Sequence, residues 1–459
     1  MGAAMASVGH FGDARREAVG EELVERAVSG GTLVLRKLAK TRADEVSYQR
    51  FLSAEQVTVA EMLATAARHT AQAARGCRVL VPQDTSEVNF GARRQKPQEL
   101  GPGTDGKGPA LFVQGAVAVD CDADAVLGVV HAEIWTRDGE RPDPRHKRAQ
   151  ADKESQRWLT GAQAAADLLS EAREVIVVAD READIYTFCA NQPAGVELVV
   201  RARHDRKLSD GGRLRDRIAD WPALDRAQIV LTPKSPGAKG RTAQVELRAG
   251  RVELARPTSA DRDAPASLAM NVVEVREVDP PAGAEPVCWR LLTTLPVDTP
   301  EAAQEAAEIY RKRWRIEQVF RAMKRHGVNL EESQAERRDH LFKLSAIALI
   351  AGVRTLQLVD ARDGSHRPAS DLLAADLLPL AEAIGRRLEG RTARQQNPHP
   401  KYSLAWLSWI VARCGGWHGY YKPPGPKTMR DGWDKFAAKL QGYAQALDDF
   451  GYQPNPRIP

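Results

Sequence analysis

Two short runs constrain this chain more than any other feature. Arg78-Val79-Leu80-Val81-Pro82-Gln83-Asp84-Thr85 is an apolar run closed by an acid. Glu174-Val175-Ile176-Val177-Val178-Ala179-Asp180 repeats the pattern, with four β-formers and a small residue before Asp180. Continuous apolar runs of this length are strands buried on both faces, as in parallel or mixed sheets. Each would carry a carboxylate at its C-terminal end, the rim where sites form in such sheets. The expected fold class is therefore α/β.

The 459 residues allow two or three domains with a proper core. Residues 1 to about 70 carry helical periodicity broken by Gly30-Gly31. Arg36, Lys37, Lys40 and Arg42 form a basic cluster there, and Tyr48, Arg50 and Phe51 interleave aromatic and basic groups. That mixture suits a nucleic-acid backbone, and a solvated helix pair explains it equally well. Residues 71–360 form the sheet-bearing domain, with strands at Ala110–Val119, Ala125–Trp135, Val196–Arg203 and Trp289–Leu295. A helix is expected over Trp158–Leu169, and another opens after Asp180 in Arg181-Glu182-Ala183-Asp184 and runs through Phe188. At about 208–287, short alternating runs between Pro, Gly and charged residues predict an antiparallel β insertion, with Lys234, Lys239 and Arg241 in its most flexible loop. Residues 366–459 form a third, helical domain rich in tryptophan, a packing or dimer-forming module.

Composition excludes several classes. Five scattered cysteines with no CxxC pair argue against a disulfide framework and a zinc site. The most apolar segment, Leu344–Val353, is far shorter than the roughly 20 residues of a membrane span. No leader-like apolar run opens the chain, so a cytoplasmic location and no membrane partner are expected. Net charge is +5, but the cations are clustered, so local patches matter more than the total.

The densest patch is Tyr310–Lys324, reading YRKRWRIEQVFRAMK. Seven basic residues and one acid, Glu317, lie between Arg311 and Arg325. On one continuous helix, Tyr310, Arg313, Glu317 and Lys324 would share a face. A solvated basic helix with one internal ion pair accounts for the same residues. A lone carboxylate among cations also suits a metal site flanked by phosphate-binding groups. Asp84, Asp180 and Glu317 together would repel one another unless a cation sat between them, and oxygen donors suit Mg2+ or Mn2+. Two such ions can activate a nucleophile and stabilise a leaving oxygen at phosphorus.

These residues carry a resemblance. QDTS (Gln83–Ser86), ADREADIY (Ala179–Tyr186), VVRARHDRK (Val199–Lys207), Trp289 within WRLLTTLPV, and IYRKRWRIEQVFRAMK (Ile309–Lys324) resemble the bacterial DDE transposases of the insertion-sequence-four family, the family of the transposase of transposon five. The resemblance implies an RNase H-like mixed-sheet catalytic core with an antiparallel β insertion, flanked by helical N- and C-terminal domains. It implies that Asp84, Asp180 and Glu317 are catalytic ligands of two Mg2+ or Mn2+ ions. Tyr310, Arg313 and Lys324 would contact phosphates near the cut, and Trp289 would stack on a flipped base. Arg201, Arg206 and Lys207 would hold the transposon end. The implied reaction is cut-and-paste transposition through nicking, a hairpin, its resolution and strand transfer. The implied partners are double-stranded DNA, as end inverted repeats and target, and a second copy of the chain, with residues 1–70 binding DNA and 366–459 dimerising. A metal-dependent nuclease on the same core, or a non-catalytic DNA-binding derivative, are the alternatives; a glycosidase with paired carboxylates fits so basic a setting poorly.

Overall fold

The computed structural model describes residues 7–137, 156–231, 240–324, 327–362, 364–420 and 423–450. The chain opens with α1 (Ala14–Gly30), α2 (Leu35–Leu38), α3 (Arg42–Ser53) and α4 (Val59–Ala74). Three strands follow: β1 (Arg78–Asn89), β2 (Ala110–Asp120) and β3 (Ala125–Trp135). Next come α5 (Gln156–Leu168), β4 (Glu174–Ala179), α6 (Tyr186–Ala190), β5 (Val196–Arg201) and α7 (Leu214–Ala219). Strands β6 (Asp225–Leu231), β7 (Arg241–Ala255), β8 (Ser267–Glu277) and β9 (Cys288–Thr293) lead into α8 (Pro300–Lys312) and α9 (Trp314–Met323). The last helices are α10 (Arg338–Ala361), α11 (Leu378–Leu388), α12 (Leu404–Cys414) and α13 (Pro426–Phe450). The sheet is mixed, with nine strands in the order β3-β2-β1-β4-β5-β9-β8-β7-β6, so the protein is a mixed α/β protein.

The chain divides into two compact units. One holds residues 76–84 and 141–314, the other residues 1–75, 85–140 and 315–459. In the first, β1 runs parallel to β4 and β4 parallel to β5, while β9, β8, β7 and β6 continue antiparallel. The expected insertion is therefore the edge of the main sheet. Strand β7 changes its buried face along its length: Ala243, Val245 and Leu247 are buried in its first half, Val252 and Leu254 in its second. Gly250 sits near the changeover because a Cβ there would meet the Trp221 ring at 2.7 Å. Arg241 opens β7 and pairs with Glu277; Lys234 and Lys239 lie outside the described residues.

In the other unit the helices form the core together with the buried strands β2 and β3. Asp13 caps α1 by accepting from the Arg15 amide, and Gly31 closes it with φ +59°. Thr41 and Asp44 form a capping box on α3. Helix α10 is long and apolar enough to cross a membrane by length and composition, and 83% of its apolar window is buried inside the protein. It is a core helix: it packs on β3, α1, α4 and α12, and Gln357 Nε2 donates to Leu127 O at 2.9 Å. Trp406, Trp409 and Trp433 are buried in this same core, so they pack within the chain. Tyr48 and Phe51 are buried too, with Tyr48 donating to Glu22 at 3.1 Å. The aromatic half of the expected aromatic–basic surface is thus core, and only Arg50 of the three is exposed.

Candidate active site

Strand β1 is longer than the apolar run predicts, so Asp84 sits within it and not at its end. Its pairing with β4, however, stops at Gln83 opposite Ala179. Asp84 and Asp180 are the residues that follow this last pair. Gln83 is fully buried toward α5, donating to Trp158 O at 3.2 Å and accepting from the Ala162 amide at 3.1 Å. Gly161 of α5 leaves room for it, since a Cβ there would lie 2.6 Å from the Gln83 carboxamide. Side chains alternate along a strand, so Asp84 points to the opposite face. Asp180 is also extended, at φ −81° and ψ −172°. Strands β4 and β5 are in register up to Ala179 and Val200, which directly precede Asp180 and Arg201.

Beyond Asp180 the expected single helix is divided. Arg181–Ala183 forms one 3-10 turn, and α6 starts only at Tyr186. Asp180 holds the turn, accepting from the Glu182 amide at 2.7 Å. Asp184 turns inward. Its carboxylate accepts from the amides of Arg203 at 2.7 Å and His204 at 2.8 Å, and from Arg206 Nε at 2.8 Å. The side chains of Asp184 and Arg206 are 0% and 8% exposed. Arg206 is therefore an interior residue that fastens the loop after β5. Lys207, next to it, is exposed. Arg201 is half-buried and donates to Cys288 O at 3.2 Å. Sequence reading missed Asp184, whose one signal was a second acid four residues after Asp180.

Helix α8 is capped by Thr299, which accepts from the Ala302 amide, and has Pro300 in its first turn. The helical run beginning there does not continue unbroken to Lys324. It is divided at Arg313, whose amide bonds to Tyr310 O three residues back at 3.0 Å. Tyr310 and Arg313 therefore close α8, Glu317 lies in the first turn of α9, and Lys324 follows α9. Tyr310 is buried and meets the half-buried Trp289 edge-on, ring centroids 5.5 Å apart. The Arg313 guanidinium lies 6.0 Å from the Tyr310 ring centroid, and its Nη1 donates to Asp84 Oδ2 at 3.0 Å. Asp84 and Arg313 thus meet in this unit, with Tyr310 beside Arg313 and Trp289 beside Tyr310.

The basic run is not simply solvated. Arg311 pairs with Glu308 at 2.8 Å. Arg315 joins Asp124 at 2.9 Å and Asp360 at 3.2 Å. Burial pushes the Asp360 carboxyl above its ordinary range, and Arg315 opposes that rise. Lys324 donates its Nζ to Glu87 O. Glu317 is half-buried, while Ile316 and Phe320 on the same helix pack against Gly115 of β2, where a Cβ would lie 3.2 Å from the Phe320 ring.

Residues 159–353 match the family model described as transposase DDE domain. The chain carries a transposase DDE domain. That makes it a phosphoryl-transfer enzyme of the kind that carries out DNA transposition, and a DNA-binding protein. The matched stretch includes Asp180, Trp289, Tyr310, Arg313, Glu317 and Lys324, while Asp84 precedes it. Enzymes of this family generally use divalent metal ions. Among the described residues, no three His, Cys, Asp or Glu side chains form a group that could hold such an ion unaided. Asp84 and Asp180 nevertheless fit one by donor chemistry. They are hard oxygen donors that directly follow the last paired residues of β1 and β4, and one of them already attracts a cation, the Arg313 guanidinium.

Proposed function

We propose that this chain is a cut-and-paste transposase of the insertion-sequence-four type, working on an RNase H-like core. Asp84, Asp180 and Glu317 serve as its catalytic carboxylates. The observation that carries the reading is the pairing of β1 with β4, whose last partners, Gln83 and Ala179, directly precede Asp84 and Asp180, together with the contact of Arg313 with Asp84. The spacing Tyr310, Arg313, Glu317, Lys324 supports Glu317 as the third carboxylate. When bound, two Mg2+ or Mn2+ ions would activate the attacking oxygen and neutralise the leaving one.

The residues of the chain do the rest. Arg313, Lys324, Arg201 and Lys207 hold phosphates beside the scissile one, and Tyr310 fixes the ring on which Arg313 rests. Trp289 is half-buried and offers a face for an unstacked base, a contact worth roughly 1–3 kcal/mol. Each step is an in-line displacement at phosphorus. Water cuts the first strand; the freed 3′-hydroxyl attacks the other strand and expels its bridging oxygen to make a hairpin; water opens it; the 3′-ends then attack target DNA. One carboxylate site serves all four. Residues 1–70 bind the end DNA, residues 366–459 join two copies, and the protein works in the cytoplasm on nucleoid DNA.

The test is incubation of the purified chain with Mg2+ and DNA carrying the repeats that flank its gene. Hairpins and joined products are expected. Nicks that never mature would leave a metal-dependent nuclease, and DNA binding with no cleavage in either wild type or Glu317→Ala would leave a non-catalytic DNA-binding protein.

A further inference from the structure

We infer that Arg313 is an internal latch on Asp84, occupying this carboxylate until a DNA phosphate draws the guanidinium away. The inference rests on the reading of Asp84 as a metal ligand and adds how access to it is controlled. A carboxylate is favoured in its charged form when a cation lies close. In the resting chain that cation is the Arg313 guanidinium, 3.0 Å from Asp84 Oδ2. Several features favour the pair. Arg313 stands at the C-terminal end of α8, where the helix dipole favours positive charge. Its guanidinium is braced by the Tyr310 ring, and that ring is braced by Trp289.

The latch is built to release. The side chains of Arg313 and Asp84 remain 15% and 20% exposed, so water and ligands reach both. Mg2+ demands near-ideal octahedral oxygens and sheds water reluctantly. It competes poorly for a carboxylate oxygen already bonded to a guanidinium. A phosphate diester offers Arg313 a second, geometrically matched partner. Once Arg313 moves to the phosphate, Asp84 is released to the metal. DNA and metal then favour each other's binding by the same factor, because the coupling of two ligands is reciprocal. The metal site would fill more readily when DNA is in place.

The test is Mn2+ binding to the full chain without DNA, followed by electron paramagnetic resonance and calorimetry. The proteins are wild type, Arg313→Ala, Arg313→Lys and Asp84→Asn, with circular dichroism as the folding check. Arg313→Ala should bind Mn2+ about tenfold more tightly than wild type, and Arg313→Lys should fall between them. Adding a DNA duplex should tighten Mn2+ binding to wild type by about the same factor and leave Arg313→Ala nearly unchanged. If Arg313→Ala does not fold, Arg313→Gln carries the same expectation. Equal Mn2+ affinity in wild type and Arg313→Ala, with binding still lost in Asp84→Asn, would overturn the latch and leave the metal reading standing. Binding that is indifferent to Asp84→Asn in every variant, with or without DNA, would remove the metal reading and the latch with it.

Discussion

Asp184 and Arg206 face each other in the interior of one compact unit, and Asp84 and Arg313 face each other on the sheet of the same unit. The chemistry of the two pairs is the same. The surroundings differ: the first pair is nearly sealed from water and also accepts two backbone amides, whereas the second stays within reach of solvent. A buried pair that loses one partner leaves an uncompensated charge, so it cannot be exchanged for anything else. A pair that keeps contact with water gains less from its own attraction and can be traded for a better ligand. Burial, more than the identity of the partners, separates an ion pair that holds a loop from one that can act.

Asp84→Asn should break this comparison most sharply. It should lower the rate of DNA nicking by about a thousandfold or more, roughly 4 kcal/mol of transition-state stabilisation. Its urea midpoint should correspond to a stability within about 1 kcal/mol of wild type. An Asp84→Asn protein that unfolds early, or that nicks at a normal rate, would place this pair with the structural one. Asp184→Asn reverses the pattern, with a stability loss of roughly 3–5 kcal/mol in urea titration. Arg206→Ala should do the same, and the double variant should lose less than the two single losses added together.

Glu25 sharpens the comparison from the other unit. Its carboxylate is buried in α1 and has no hydrogen-bond partner among the described residues. Burial raises its pKa to about 7, against the opposing pull of Arg26 and Arg354, with Glu22 and Asp434 adding to the rise. An acid whose pKa is raised on folding stabilises the fold most below its unfolded value and loses that contribution as pH climbs through the folded one. Wild type should therefore lose stability relative to Glu25→Gln between pH 5 and pH 8, by about 3 kcal/mol at most. Denaturant midpoints measured across that range check it, and a constant difference between the two proteins would count against the shift. The smallest effect is expected at Lys207, exposed beside the buried Arg206. Lys207→Ala should weaken DNA binding modestly at low salt and reduce the slope of log affinity against log salt by about one. Urea stability should not move.

Local pattern carried much of this. The two apolar runs became the parallel pair β1 and β4, because uninterrupted β-formers can be satisfied only between other strands. Asp84 and Asp180 came with them, since each follows its run directly. The alternating runs between 225 and 277 became antiparallel strands. What pattern could not show was which way a polar side chain turns. Asp180 and Asp184 stand four residues apart in one pentapeptide, yet one caps an exposed turn and the other anchors an arginine 22 residues away. Tyr48 and Phe51 read as a surface until the fold placed them inside. The break at Arg313 left no composition signal, because helix-forming residues continue across it.

The amino-acid order by itself determined the strands, the helices and the set of acids and bases available for phosphoryl transfer, because these follow from short-range periodicity and residue type. The tertiary structure alone decided which arginine neutralises which aspartate and how much water each pair keeps. Those are matters of long-range packing: a charge's behaviour depends on the dielectric and the partners that distant segments bring to it.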